Sequence, residues 1–309
     1  MDSLYIPALE REVSRLGVGS MIFSPGNMQV TTEVLDAFAA KGGNLIDTAQ
    51  CYGGGESERA IGLYMDRSGS RSDWVILDKD FDVAERLTPE AIPAAIEANL
   101  GRLATDYIDI WLFHRDNEDV PIDEIVDAMA REVHAGRIRC WGGSNWTAER
   151  VKAARRYAEE NRLPTFGVTS PHVCLARSKE PFWPKCLQAS DEELSYYARA
   201  RVPVFAWSSQ GRGFFLESSG PDDDSPDLVR VYHEDENFER LRRARELAER
   251  LGVEPIQIAL AYVLNLPAPT VALVGPANAV EVASCVAASD ISLTPDDLAW
   301  LDLRTDERS

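Results

Sequence analysis

A chain of 309 residues with 45% apolar side chains can bury a sizeable core, which argues against a disordered protein. Its formal charge of -19 argues against nucleic acid or an anionic membrane as partner. No apolar run approaches the roughly eighteen residues that a membrane span needs.

Five Cys (51, 140, 174, 186, 285) are scattered with no C-x-x-C pair, and the N-terminus lacks a basic segment followed by an apolar one. Both point to a reducing cytoplasm. The four His (114, 134, 172, 233) do not cluster at ligand spacing, so no metal site is expected.

Strand-like and helix-like segments alternate along the chain, which argues for a parallel sheet. Residues 3–14 read as a short hairpin, and Leu16 to Ser20 as the first barrel strand. Val34, Leu35 and Phe38 mark a helix over 31–41; a strand at 43–47 and a helix at 56–65 follow. Trp74 to Leu77 read as the third strand, running into Asp78-Lys79-Asp80. Ile92, Ile96 and Leu100 share one face of a helix over 89–104. Tyr107 to Phe113 form the fourth strand, ending at His114, and Ile122, Ile125, Val126 and Met129 mark the next helix.

The fifth strand, 138–142, ends at Gly143-Ser144-Asn145 and leads into a charged helix, 147–160. The sixth is 166–170, with a loop over about 171–190, and the seventh is 202–207. Residues 208–235 read as a long irregular loop, a length that usually marks a functional lid or disorder. Helices at 236–251 and 255–264, a strand at 271–275 and helices at 278–287 and 294–301 complete the chain. Eight strand–helix pairs make a single (β/α)8 barrel over 1–309 the natural architecture.

The most informative stretch is Asp47-Thr48-Ala49-Gln50-Cys51-Tyr52-Gly53, which runs through Gly54 and Gly55 into Glu56-Ser57-Glu58. A carboxylate at a strand end and a Tyr in the following loop are where a barrel enzyme keeps its chemistry. Lys79 and His114 occupy comparable positions after the third and fourth strands. Taken singly, each has an ordinary reading: Asp47 as a helix cap, Tyr52 as a loop aromatic, Lys79 as a surface ion pair, His114 as a loop histidine.

Together these blocks resemble the aldo-keto reductase superfamily: Asp-Thr-Ala at Asp47, Tyr-Gly at Tyr52, strand-then-Lys at Lys79, and Asp109 five residues before His114. The resemblance covers about residues 12–302. It implies a reductase that transfers hydride from NADPH or NADH to an aldehyde or ketone, a small-molecule carbonyl substrate. Tyr52 would be the general acid, with its pKa lowered by Lys79. Asp47 would hold that ammonium, and His114 would be a second donor to the carbonyl oxygen.

No Gly-x-Gly-x-x-Gly follows any strand, since Gly17-Val18-Gly19 lacks the third glycine, so no Rossmann half is expected. The resemblance instead implies a dinucleotide on the barrel. Ser144 and Asn145 would hold the carboxamide, and Trp207 would stack on the nicotinamide. Ser208, Gly211, Arg212 and Gly213 would meet the pyrophosphate. Ser170 stands where most relatives have Gln.

Relatives that select NADPH place cations after the last strand. Here Gly275 to Cys285 contains none, and Glu281 falls about where an Arg is expected, so weak discrimination or a preference for NADH is expected. Phe23, Phe81, Trp146, Phe182 and Trp183 are candidates for the substrate wall. A second reading stays open: a cofactor-sensing binding module of the potassium-channel β-subunit type. The physiological substrate and the oligomeric state are not legible.

Overall fold

Parallel strands closed into a barrel bury both faces, so the inner and outer rows of each strand must both be apolar or neutralised. In the computed structural model, which describes residues 1–222 and 225–308, the chain meets that requirement with eight strands. They are β3 (Leu16–Gly19), β4 (Leu45–Asp47), β5 (Val75–Asp80), β6 (Ile108–Phe113), β7 (Ile138–Ser144), β8 (Phe166–Ser170), β9 (Val204–Ala206) and β10 (Thr270–Val274). They close in chain order, with β10 pairing β3.

A hairpin of β1 (Ser3–Ile6) and β2 (Arg11–Ser14) precedes the barrel. Its Ile6 and Val13 join the interior cluster, which continues with Leu45, Val75, Leu77, Ile110, Leu112, Cys140, Val168, Phe205, Val271 and Leu273. Gly17 lies in the same interior, where an added Cβ would meet Leu45 and Leu273 side-chain atoms at 2.5 and 2.8 Å.

The opposite row of each strand packs against the helices α1 (Met28–Ala40), α2 (Glu56–Ser68), α3 (Ile92–Leu103), α4 (Ile122–His134), α5 (Ala148–Asn161) and α6 (Asp191–Ala200). The helix set continues with α7 (Pro226–Tyr232), α8 (Asp235–Leu251), α9 (Pro255–Leu264), α10 (Ala279–Ala288) and α11 (Pro295–Leu301). A buried polar chain ties α2 and α3 to the sheet. Trp111 Nε1 donates to Asn99 Oδ1 at 2.9 Å, and Asn99 Nδ2 donates to Glu58 Oε1 at 2.9 Å. Arg102 Nε donates to Glu58 Oε2 at 2.6 Å.

Two differences from the sequence reading matter. The third barrel strand extends through Asp80, so Lys79 lies inside it rather than beyond its end. Residues 208–235 are not one irregular loop: they contain a 3-10 turn, Gly211–Gly213, and helix α7, while 223 and 224 lie outside the described residues. Helix α7 forms because Pro226 supplies its first turn and Leu228, Val231 and Tyr232 bury on one face. Among the described residues no helix is long and apolar enough to cross a membrane.

Candidate active site

Side chains alternate faces along a strand, so a residue two beyond an inward apolar residue also points into the barrel. That rule builds the site. Asp47 follows Leu45, Lys79 follows Leu77, His114 follows Leu112, Ser170 follows Val168 and Trp207 follows Phe205. Each is the next inward step above the apolar interior, at the C-terminal mouth. Ser144 takes the same place on β7, above Cys140 and Gly142.

Lys79 is not a surface ion pair. It is 2% exposed, Asp47 is 4% exposed, and its ammonium donates to Asp47 Oδ1 and, at 2.8 Å, to the carbonyl of Thr48. Burial raises the Asp47 carboxyl above its ordinary range while Lys79 pulls it back. The end of β4, at Asp47 and Thr48, is pinned by hydroxyls that the sequence reading passed over. Ser20 Oγ donates to the Asp47 carbonyl at 2.8 Å, and Ser57 Oγ donates to the Ser20 carbonyl at 2.9 Å and meets Thr48 Oγ1 at 2.9 Å.

Tyr52 opens a tight turn in which Gly53, Gly54 and Gly55 have φ of 60, 64 and 93°. Three consecutive left-handed residues reverse the chain into α2, and glycine adopts that conformation without a Cβ penalty. The ammonium of Lys79 sits 5.2 Å from the Tyr52 ring centre. The Tyr52 and His114 rings meet edge to face with centres 6.1 Å apart. Among the described residues the Tyr52 hydroxyl has no hydrogen-bond partner in the protein, and it is not a buried orphan.

The expected lowering of the Tyr52 pKa by Lys79 does not hold in this resting site. Burial first, then the charge on Asp47, push the phenol well above its usual value, with Arg115 opposing. The reason is local: burial disfavours the phenolate most, and the Asp47 carboxylate that pairs with the ammonium adds its own negative charge against it. His114 moves the other way, held well below the ordinary histidine range by burial and by Lys79 and Arg115. The mouth therefore presents a protonated phenol and a neutral imidazole at neutral pH.

Beside them, Asn145 sits at φ 61° and turns its amide onto the rim. Its Nδ2 donates to the His114 carbonyl at 3.1 Å and to Ser144 Oγ at 3.0 Å, and its Oδ1 accepts from Leu187 N at 3.1 Å. Ser144 Oγ donates to the Ser170 carbonyl at 2.8 Å, and Ser170 Oγ to the Phe205 carbonyl at 2.7 Å. These groups are held in place while Ser144 Oγ and Asn145 Oδ1 keep a free lone pair each.

Trp207, half-buried, stacks on His172 with ring centres 4.5 Å apart and planes at 21°. His172 Nε2 and the Tyr232 hydroxyl share a hydrogen bond at 2.9 Å. The sequence reading missed His172, yet its signal was there: it lies two residues past Ser170, on the inward row. Beyond Trp207, left-handed Ser208, Gly211, Arg212 and Gly213 (φ 52, 60, 53 and 92°) shape a turn above the mouth. Within it Gly211 N donates to the Ser208 carbonyl at 2.9 Å and Phe214 N to the Gly211 carbonyl at 3.0 Å, so the turn is closed by its own backbone.

Several expected residues lie elsewhere. Phe81 and Trp146 are buried in the layer between sheet and helices, Phe81 against Trp111 and Phe113, Trp146 against Phe113 and Phe166. Phe23 is buried in the same outer cluster. None of the three offers a free face to a substrate. Trp183 does, at 39% exposure, tilted against Trp207 at 6.2 Å. The Arg212 guanidinium rests 5.1 Å from the ring centres of both Phe182 and Trp183, a cation–π seat rather than a free cation. Gly275 is exposed after β10, and Glu281 folds back, accepting from Ala277 N and Asn278 Nδ2 at 2.8 Å each. Asp109 faces outward, accepting from Ile76 N at 3.0 Å and pairing with Arg71 at 2.9 Å.

Comparison with known proteins agrees with this geometry. The chain is 27% identical to "Aldo-keto reductase str7" of Strobilurus tenacellus, over 93% of this chain and 87% of that protein. It is 27% identical to "Uncharacterized oxidoreductase YrpG" of Bacillus subtilis, over 97% of this chain and 95% of that one. Among solved structures, an aldo-keto reductase from Klebsiella pneumoniae in complex with NADPH superposes with a TM-score of 0.75 at 25% identity, covering 98% of this chain and 95% of that one. The model of the Aldo/keto reductase family matches residues 15–303, and with its parallel barrel and polar mouth the chain belongs to that family.

Proposed function

We propose that the protein reduces an aldehyde or ketone to an alcohol, with Tyr52 as general acid and His114 as a second hydrogen-bond donor to the carbonyl oxygen. The observation that carries this reading is the convergence of the Asp47–Lys79 pair, the Tyr52 phenol and the neutral His114 ring on one mouth. A reduced nicotinamide dinucleotide, when bound, supplies the hydride. The residues at the mouth fit it. Ser144 and Asn145 can satisfy a carboxamide, Trp207 offers an aromatic ring, and the turn at 208–213 beside it is the segment we assign to the pyrophosphate.

Tyr52 holds its proton firmly at rest and releases it as negative charge develops on the carbonyl oxygen, an alkoxide being a much stronger base than a phenolate. Lys79 stabilises the phenolate left behind, and Asp47 holds that ammonium in place. Trp183, exposed beside Trp207, makes one aromatic wall, which favours substrates with an apolar or aromatic group beside the carbonyl. The free thiols suit a reducing compartment, and we read the enzyme as cytoplasmic.

The test is a panel of aldehydes and ketones, followed by loss of reduced-cofactor absorbance. Turnover of at least one carbonyl is expected. Tight dinucleotide binding with no turnover across the panel contradicts the enzyme and favours the sensing module.

Cofactor choice follows from the entrance to α10. Its first amides are taken by carboxylates and an amide: Ala279 N donates to Glu33 Oε1 at 3.0 Å, Ala277 N to Glu281 Oε2 at 2.8 Å and Glu281 N to Asn278 Oδ1 at 3.0 Å. Carboxylates accept from ribose hydroxyls and repel a phosphate. The expected result is a kcat/KM with NADH at least comparable to that with NADPH, for one substrate at low salt. A preference for NADPH beyond about a hundredfold, ~2.7 kcal/mol, contradicts this account.

A further inference from the structure

Among the described residues, one side chain reaches the ring nitrogens of His114: Cys51, whose Sγ lies 3.5 Å from Nδ1. Cys51 is a free, half-buried thiol in the turn immediately before Tyr52. A neutral imidazole carries a single N–H, and the partner of one nitrogen decides which nitrogen bears it. Two arrangements fit the distance. The thiol donates to Nδ1, or Nδ1–H donates to sulfur.

The chemistry of the pair selects the first. Burial, with the charge on Asp82 behind it, pushes the Cys51 thiol up to about 11, so it remains S–H. Burial, Lys79 and Arg115 keep the ring unprotonated. The neutral thiol then has a proton to give and a weak sulfur acceptor, while Nδ1 offers a good lone pair. With Nδ1 accepting, the ring proton resides on Nε2.

The geometry points to Cys51 as a positioning residue: its thiol donates to His114 Nδ1 and locks the ring as the Nε2–H tautomer, which keeps Nε2 as a donor toward a carbonyl oxygen. The catalytic use of Nε2–H rests on the proposed carbonyl reduction. The tautomer itself is a property of the resting protein. The backbone supports the arrangement from both sides, since His114 N donates to the Asp80 carbonyl at 2.7 Å and the His114 carbonyl accepts from Asn145 at 3.1 Å.

The test reads the imidazole nitrogens of His114 by NMR in 15N-labelled protein without substrate, at about pH 7.5. The protein has four histidines, and the signal that disappears in His114→Asn is the one to follow. The expected result is a proton on Nε2 in the wild type and in Cys51→Ser, whose hydroxyl also donates. In Cys51→Val an Nδ1–H population should appear. In turnover, Cys51→Val should lose about fivefold in kcat with KM within about twofold, the scale expected for a weakly held donor, and Cys51→Ser should regain at least half of that loss. A wild-type ring protonated on Nδ1, or an unchanged tautomer in Cys51→Val, overturns the proposal. The NMR result is read without turnover, so it remains decisive even where the carbonyl panel fails.

Discussion

Tyr52→Phe should lower kcat by about 10² or more while leaving dinucleotide binding nearly unchanged. The ring is positioned by packing, edge-on to His114 and 5.2 Å from the Lys79 ammonium, and Phe keeps that ring. Among the described residues the hydroxyl has no protein partner, so its removal orphans no buried group. What disappears is the proton source, and general acid catalysis typically contributes ~10²–10⁴ in rate. Steady-state kinetics with one carbonyl substrate, alongside a cofactor titration, make the check. A variant that keeps half its kcat would remove Tyr52 from the role.

Lys79→Met should be the most destabilising change at the mouth. It leaves Asp47, 4% exposed, without the ammonium that lowers its pKa. Breaking one partner out of a buried pair costs about 3–5 kcal/mol. The sign of the pH dependence follows from the same balance. With Lys79 gone, burial alone acts on Asp47, and its folded-state pKa rises further above the unfolded value. Such a group favours the folded state at low pH and loses that contribution as pH rises through the folded pKa. The stability gap between wild type and Lys79→Met should therefore be widest near about pH 8 and should narrow as the pH is lowered, as read from urea midpoints.

Asp47→Asn breaks the same pair from the other side, and an amine buried without its carboxylate favours the neutral form. In ΔΔG‡ the two changes should fall short of additivity by at least ~1 kcal/mol, because either one alone disables the unit. Additive effects within error would show that Asp47 and Lys79 act independently.

The barrel and its mouth were legible because both follow the period of two. Leu45 and Asp47, Leu77 and Lys79, Leu112 and His114 are pairs in which an apolar interior residue is followed, two positions later, by a polar one. Legibility stops where the backbone leaves the extended region. Phe81 has φ 63°, and Trp146 follows Asn145 at φ 61°. A left-handed residue breaks the alternation, and both aromatics fold onto the outer face of the sheet rather than the mouth. Arg212, itself at φ 53°, similarly settles on Phe182 and Trp183.

The electrostatics of Tyr52 were illegible for another reason. Sequence places an ammonium near a phenol, but it does not say how much solvent the site excludes or how close the opposing charge of Asp47 comes. Helix α7 was hidden inside a Gly-, Ser- and Asp-rich segment whose composition masks three buried residues, Leu228, Val231 and Tyr232. Glu33 at the start of α10 could not be found by local reading, because it comes from α1, far away in the chain.

The most direct measurement of the central claim follows the hydride itself. A reduced dinucleotide carrying deuterium at the transferable nicotinamide position is incubated with an aldehyde that the protein turns over, and the alcohol is analysed by mass spectrometry. The account predicts one deuterium on the carbinol carbon of each product molecule, formed at least about a hundredfold more slowly by Tyr52→Phe. Alcohol that carries no deuterium, or bound cofactor that stays reduced in the presence of every carbonyl offered, would contradict it.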